Sequence, residues 1–220
     1  MASDFFEAIF FDMDGLTINS EPQWLEAEIE LTAPYGYTWS TEDQAACLGG
    51  PLWRVGQYMS DVCNGAEDGE HFHKAIVDLM ADKVRHFADF MPGAKSLLGQ
   101  LNETDIPLAL VSASPRVIVD AALSHVQPTP FRITISSDDV KVTKPDPEGY
   151  LKAASLLDAN IANCLILEDS ATGVKAAQAS GARVIAVPHL VKIAEDAQTK
   201  IVHSLEELSF ERLKELYRNW

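Results

Sequence analysis

Apolar residues in this chain follow two rhythms. The segment 7–11, "EAIFF", is a short apolar run that predicts a buried strand. From Glu21 to about Ala88 the spacing lengthens to one apolar residue in every three or four. It does so in "EPQWLEAEIELTAPYGY", "TEDQAACLG", "PLWRVGQYMSDVC" and "GEHFHKAIVDLMADKVRHF", with Pro22 and Pro51 near the expected helix starts. No strand is expected there. After the Pro-Gly turn of "FMPGAK", apolar runs return at 106–113, 131–137, 163–169 and 182–187, each alternating with a helix-like stretch. The tail "SLEELSFERLKELYRNW" again has helical spacing, and no internal repeat interrupts the chain.

Alternation of this kind predicts an α/β fold with a parallel sheet. Its first strand would be followed at once by a helical insertion of roughly 70 residues, placed as a cap. The expected division is a core of residues 1–16 and 90–220 and a cap of 17–89. In an open α/β sheet, ligands bind beyond the carboxyl ends of the strands. Asp12 and Asp14 follow the first strand there, Ser112 the second, and Glu168 with Asp169 the strand at 163–167, while Lys144 in "KVTKPDPEGY" precedes a helix and is expected to reach the same rim.

Several carboxylates at one rim cannot all stay ionised without a cation among them, and a hard divalent ion, Mg²⁺, would relieve the repulsion. Lys144, the Ser112 hydroxyl and the backbone N–H groups after Asp12 would offset a phosphate's charge, with Gly15 allowing close approach. The set suits phosphoryl chemistry, in which one carboxylate attacks phosphorus and the other, two residues away, protonates the leaving oxygen.

Composition narrows the partners. A 220-residue chain with 47% hydrophobic and 23% charged residues is globular, and no apolar stretch approaches the roughly 20 residues that span a bilayer. The net charge of −16 repels a polynucleotide, although a local basic pocket can hold one small phosphate ester. Cys47, Cys63 and Cys164, odd in number and widely spaced, read as buried thiols. His71 and His73, two apart on a helix, diverge and make no zinc site. With no basic n-region or small-residue cleavage site near the N-terminus, the expectation is a cytoplasmic, monomeric protein acting on a small phosphorylated metabolite, with no nucleic-acid or membrane partner.

"DMDGLT", "SAS", "KPDPEGY" and "LEDSATG", in this order, resemble the four motifs of the haloacid dehalogenase superfamily over nearly the whole chain. "DMDGLTINSEPQW" and "SASP" look most like its β-phosphoglucomutase-like sugar phosphatases, among them 2-deoxyglucose-6-phosphate phosphatase. The resemblance implies a Rossmann-like core with an α-helical cap. It makes Asp12 the nucleophile that forms an aspartyl-phosphate and Asp14 the general acid, which would also lend its carbonyl to Mg²⁺. It gives phosphate to Ser112, Lys144 and the Ala113 N–H, and the metal to Asp12, Asp169 and Glu168.

Two departures stand out. Asn19 occupies a place where these relatives carry aspartate. Trp24 occupies one where the mutases carry histidine, which withdraws support from mutase activity and leaves Trp24 as either a cap-core aromatic or a substrate-facing residue. Specificity is expected in the cap, with Trp24 and the loop "LGGPLWR" (Gly50, Arg54) as candidates. A metal-free dehalogenase would need neither Asp14 nor the Glu168–Asp169 pair, and intact Asp12 and Asp14 argue against a non-catalytic phosphate-binding module.

Overall fold

The computed structural model describes residues 5–47, 51–87, 89–124, 126, 128–188 and 192–220. Six parallel strands form one sheet: β1 (Ile9–Phe11), β4 (Leu108–Val111), β5 (Ile133–Ile135), β6 (Leu165–Glu168), β7 (Arg183–Ala186) and β8 (Thr199–Ile201). Their order is β5-β4-β1-β6-β7-β8, with Phe10 opposite Ala109 on one side and Ile166 on the other. The chain fills one half of the sheet from β1 through β4 to β5, then crosses back to β6 and fills the other. The carboxyl ends of β1, β4 and β6 therefore converge where the order reverses.

The unbroken apolar runs follow from burial on both faces. Ile9, Phe11, Leu108, Leu110, Leu165 and Leu167 belong to one core cluster, and Ala8, Phe10, Ala109, Val111 and Ile166 to the other, as a period of two requires. On the first face pack α5 (Ala94–Asn102), α6 (Arg116–Leu123) and α9 (Phe210–Arg218) through Leu97, Leu101, Ile118, Leu213 and Leu216. On the second pack α7 (Glu148–Leu156) and α8 (Ala171–Ser180), whose Ala153, Ala154, Ala176 and Ala177 permit close approach to the sheet. Phe10 stacks on Tyr150 at 6.5 Å there, and each ring stabilises the fold by about 2–3 kcal/mol through burial.

Between β1 and α5 lie α1 (Glu21–Thr32), α2 (Thr41–Cys47), α3 (Leu52–Val62) and α4 (Gly69–Phe87), flanked by two short strands that periodicity did not reveal. These are β2 (Ile18–Asn19) and β3 (Asp89–Phe90), an antiparallel ribbon pairing Asn19 with Asp89, which gathers the start and end of the helical segment. Two residues are too few to show alternation. Strand β8 was also missed, since "TKI" is a short edge segment without an apolar run. Among the described residues no helix is long and apolar enough to cross a membrane. All three cysteines are free and buried.

Asp43, in the first turn of α2, ties the helical segment together. It accepts hydrogen bonds from Ser40 N (2.8 Å), Ser40 Oγ (2.8 Å), Tyr37 OH (2.9 Å) and Tyr58 OH (2.6 Å), and its N–H returns one to Ser40 Oγ. Burial pushes its pKa up, but these donors, Tyr58 foremost, outweigh burial and hold it at about 2. A depressed carboxylate pKa contributes stability above its unfolded value near 4 and loses it as pH falls toward 2. Asp43→Ala is therefore expected to cost about 2 kcal/mol at pH 7, with a gap to wild type that closes between pH 4 and 2 in urea melts.

Candidate active site

The loop leaving β1 is closed on itself, and that closure places both of its aspartates. Thr17 Oγ1 donates to the Asp12 carbonyl (2.6 Å), the Thr17 and Ile18 N–H groups to the Met13 carbonyl, and the Gly15 N–H to the Ile18 carbonyl (2.9 Å). Gly15 has φ +77°, and a Cβ there would meet the Asp169 carboxylate, so only glycine lets this turn pass β6's end. The expectation of a phosphate contact at Gly15 is corrected: its N–H is spent on Ile18, and its open face receives Asp169.

Asp12 is 7% exposed. Lys144 Nζ bonds its Oδ1, Glu168 Oε1 (2.6 Å) and the Val111 carbonyl (2.8 Å), joining the ends of β1, β4 and β6. Among the described residues none bonds Asp12 Oδ2. Glu168 is fully buried, and Tyr150 OH donates to its Oε1 (2.6 Å), while Asp169 N, Ser170 N and Ser170 Oγ approach Oε2 at 3.2–3.4 Å. Gly173 leaves room for it, since a Cβ would overlap the Glu168 carboxylate.

Oxygens of Asp12, Glu168 and Asp169 lie within 4.8 Å of one another, and Asp169 Oδ1 is buried without a hydrogen-bond partner. Burial first, then the Glu168 charge, pushes Asp12 up to about 8 against the pull of Lys144. Asp169 is raised well above the carboxylate range by burial and by Asp12. Burial alone would favour a neutral Lys144, but Asp12 and Glu168 outweigh it and hold its pKa well above the ordinary value. Three carboxylates against one ammonium, with an orphaned acceptor, is a donor set that a hard divalent cation fits.

Asp14 faces the opposite way. Its Oδ1 accepts from Ser20 Oγ (2.7 Å) and Trp24 Nε1 (3.2 Å) on the helical segment, and its Oδ2 from Ser114 Oγ (2.8 Å) and Ser112 Oγ (3.3 Å) after β4. Ser112 does not cap α6, whose N-cap position is Pro115; its Oγ accepts from Ser114 N at 2.9 Å instead. Ser114, which lies beside the cavity, was not singled out from sequence, although the second serine of "SAS" marks it.

Asp12, Asp14, Ala113, Ser114, Lys144 and Asp169 form the sheet side of a cavity of about 120 Å³, and Glu21, Trp24, Glu28, Gln44 and Cys47 much of the other side. Trp24 packs against the core cluster, lines the cavity and donates its indole N–H to Asp14 Oδ1. Arg54 does not join the site. On α3 it is Val55 that turns inward, and the exposed Arg54 donates to the Ala46 carbonyl (3.0 Å) at the end of α2. Gly50 lies outside the described residues.

The family model of the haloacid dehalogenase-like hydrolases matches residues 9–187, from β1 past the end of β7. The chain belongs to this family. It is 29% identical to hexitol phosphatase B of Escherichia coli over 95% of its own length and 93% of that protein's. Identity to the bifunctional riboflavin kinase/FMN phosphatase of Arabidopsis thaliana is 30% over 91% of the chain, which spans about half (52%) of that longer relative. A solved β-phosphoglucomutase from Clostridium difficile shares the fold, with a TM-score of 0.79 at 24% identity over 98% of each chain. The α/β core with helical additions expected from the motifs is thus the family's fold, and the class is a hydrolase whose relatives are named phosphatases.

Proposed function

We propose that the chain is a Mg²⁺-dependent phosphatase of small phosphomonoesters, sugar phosphates foremost, working through an aspartyl-phosphate on Asp12. The observation that carries this reading is the division of labour around the cavity. Asp12 keeps Oδ2 unbonded beside the only ammonium on the described cavity wall, while Asp14, held by separate donors, lines the same cavity without bonding Lys144.

Asp12 Oδ2 attacks phosphorus, and the Lys144 ammonium with the Ala113 and Ser114 side of the cavity holds the phosphoryl oxygens. Asp14 protonates the leaving alcohol and then takes a proton from the water that cleaves the acyl phosphate. The serine hydroxyls around Asp14 suit both states, since each can turn from donor to acceptor as the carboxyl gains a proton. Mg²⁺ held by Asp12, Asp169 and Glu168, with the Asp14 carbonyl, would neutralise phosphoryl charge. Residues 17–89 act as the cap, hinged at the β2–β3 ribbon, in a monomeric cytoplasmic enzyme. The net charge of −16 and the cavity's small size support a metabolite over a polynucleotide.

Mutase chemistry is the rival of the same fold, and Trp24 supports hydrolysis: an indole N–H only donates and cannot relay a proton to Asp14 as a histidine can. Phosphate release from sugar, polyol and nucleotide monophosphates, with Mg²⁺ or EDTA, tests the reading. Metal-dependent release, lowered about 100- to 10,000-fold in Asp14→Asn, is the expected result. Interconversion of sugar phosphates without net release would sink it.

A further inference from the structure

The cap side of the cavity is chemically unlike the sheet side. Lys144 supplies a cation near Asp12, but Glu21, Trp24, Glu28, Gln44 and Cys47 offer none, and among the described lining residues no other Lys, Arg or His is present. Glu28 lies on α1 two turns beyond Glu21 and faces the same cavity. It is 4% exposed, and its Oε2 is buried with no hydrogen-bond partner. The Trp39 indole N–H, also without a partner at bonding distance, favours the Glu28 charge but does not bond it. Nor does Thr32, whose Oγ1 goes to the Glu28 carbonyl (2.8 Å) rather than its carboxyl. A buried carboxyl oxygen without a partner costs stability that an apolar residue would spare.

We infer that Glu28 receives a hydroxyl of the leaving alcohol, so that the preferred substrates are phosphomonoesters of uncharged polyhydroxylated alcohols and leaving groups with a second anion are rejected. This deepens the phosphatase reading and rests on it. Burial, with the like charges of Glu21 and Asp43, pushes the Glu28 pKa up to about 8, and Glu21 is raised to about 7. A protonated carboxyl both donates and accepts, as a hydroxyl does, and the two can pair twice. A carboxylate or second phosphate in the same place would be buried against acidic side chains with no counter-charge.

The test compares kcat/KM, with Mg²⁺, for glucitol 6-phosphate, for gluconate 6-phosphate with its carboxylate at the far carbon, and for phenyl phosphate, which has no hydroxyl. Wild type is expected to favour the glucitol ester over the gluconate ester by about 100-fold or more. Glu28→Leu should lower kcat/KM for the glucitol ester about 10- to 100-fold, with a loss on phenyl phosphate at least about tenfold smaller. Glu28→Gln, isosteric, able to fold if leucine is not tolerated and, like the protonated carboxyl, able both to donate and to accept, should keep most of the glucitol preference that Glu28→Leu loses. Equal losses on all three esters, a loss on the glucitol ester in Glu28→Gln as large as that in Glu28→Leu, or preference for glucosamine 6-phosphate over the glucitol ester would overturn the inference and leave the phosphatase reading standing. No release from any ester would overturn both.

Discussion

Asp12→Asn is expected to abolish Mg²⁺-dependent phosphate release, lowering kcat by about 10,000-fold or more. The amide keeps the size of the carboxylate but cannot attack phosphorus, and among the described carboxylates that line the cavity only Asp12 is hydrogen-bonded to Lys144. Folding should survive. Asp12 sits among Glu168 and Asp169 with its pKa pushed up to about 8, so its charge is unfavourable without a cation and its removal relieves repulsion. Thermal melting without Mg²⁺ should therefore place the variant at or above the wild-type Tm, and a Tm lower by more than about 5 °C would attribute the lost activity to misfolding instead. Retained release would remove Asp12 from the nucleophile's role.

Lys144→Met should produce the opposite balance. It removes the one ammonium bonded to Asp12, Glu168 and the Val111 carbonyl, leaving buried carboxylates facing one another. The expected cost is about 3–5 kcal/mol at pH 8, read as a fall in urea midpoint at constant m. Carboxylates whose folded pKa is raised destabilise the fold where they are ionised, and that penalty fades as pH falls from about 8 toward their unfolded value near 4. The variant should thus recover part of its stability at pH 5, and millimolar Mg²⁺ at pH 8 should restore part by supplying the missing charge. Equal loss at both pH values, with no response to Mg²⁺, would mean that Lys144 acts only through packing.

Comparison of particular residues shows how far sequence reaches. The strands β1, β4, β5, β6 and β7 were visible because burial on both faces makes each a short apolar run, and the motif residues at their ends followed by position alone. β2, β3 and β8 were not, since two or three residues carry no period. Arg54 and Val55 are neighbours in sequence, and only the helix's rotation decides which faces the cavity and which reaches the Ala46 carbonyl. Gly15 was read as allowing a phosphate's close approach, and in the structure the group beside its Cα is the Asp169 carboxylate, a contact between chain segments more than 150 residues apart. Ser114 and Glu28 are ordinary residues in a linear reading. Ser114 becomes a candidate through its hydrogen bond to Asp14, and Glu28 through its place beside the cavity.

The sequence by itself determined the parallel α/β architecture, the helical insertion after the first strand, the strand-end positions of Asp12, Asp14, Ser112, Glu168 and Asp169, and the place of Lys144 before a helix, because these depend on period and order along the chain. Tertiary structure alone decided which carboxylates meet Lys144 and which meets the serines. It also decided which face of α1 lines the cavity and where an orphaned carboxyl awaits a partner. Those outcomes depend on burial and on distances across the strand order, where neighbours in space are remote in sequence and a local pattern carries no record of them.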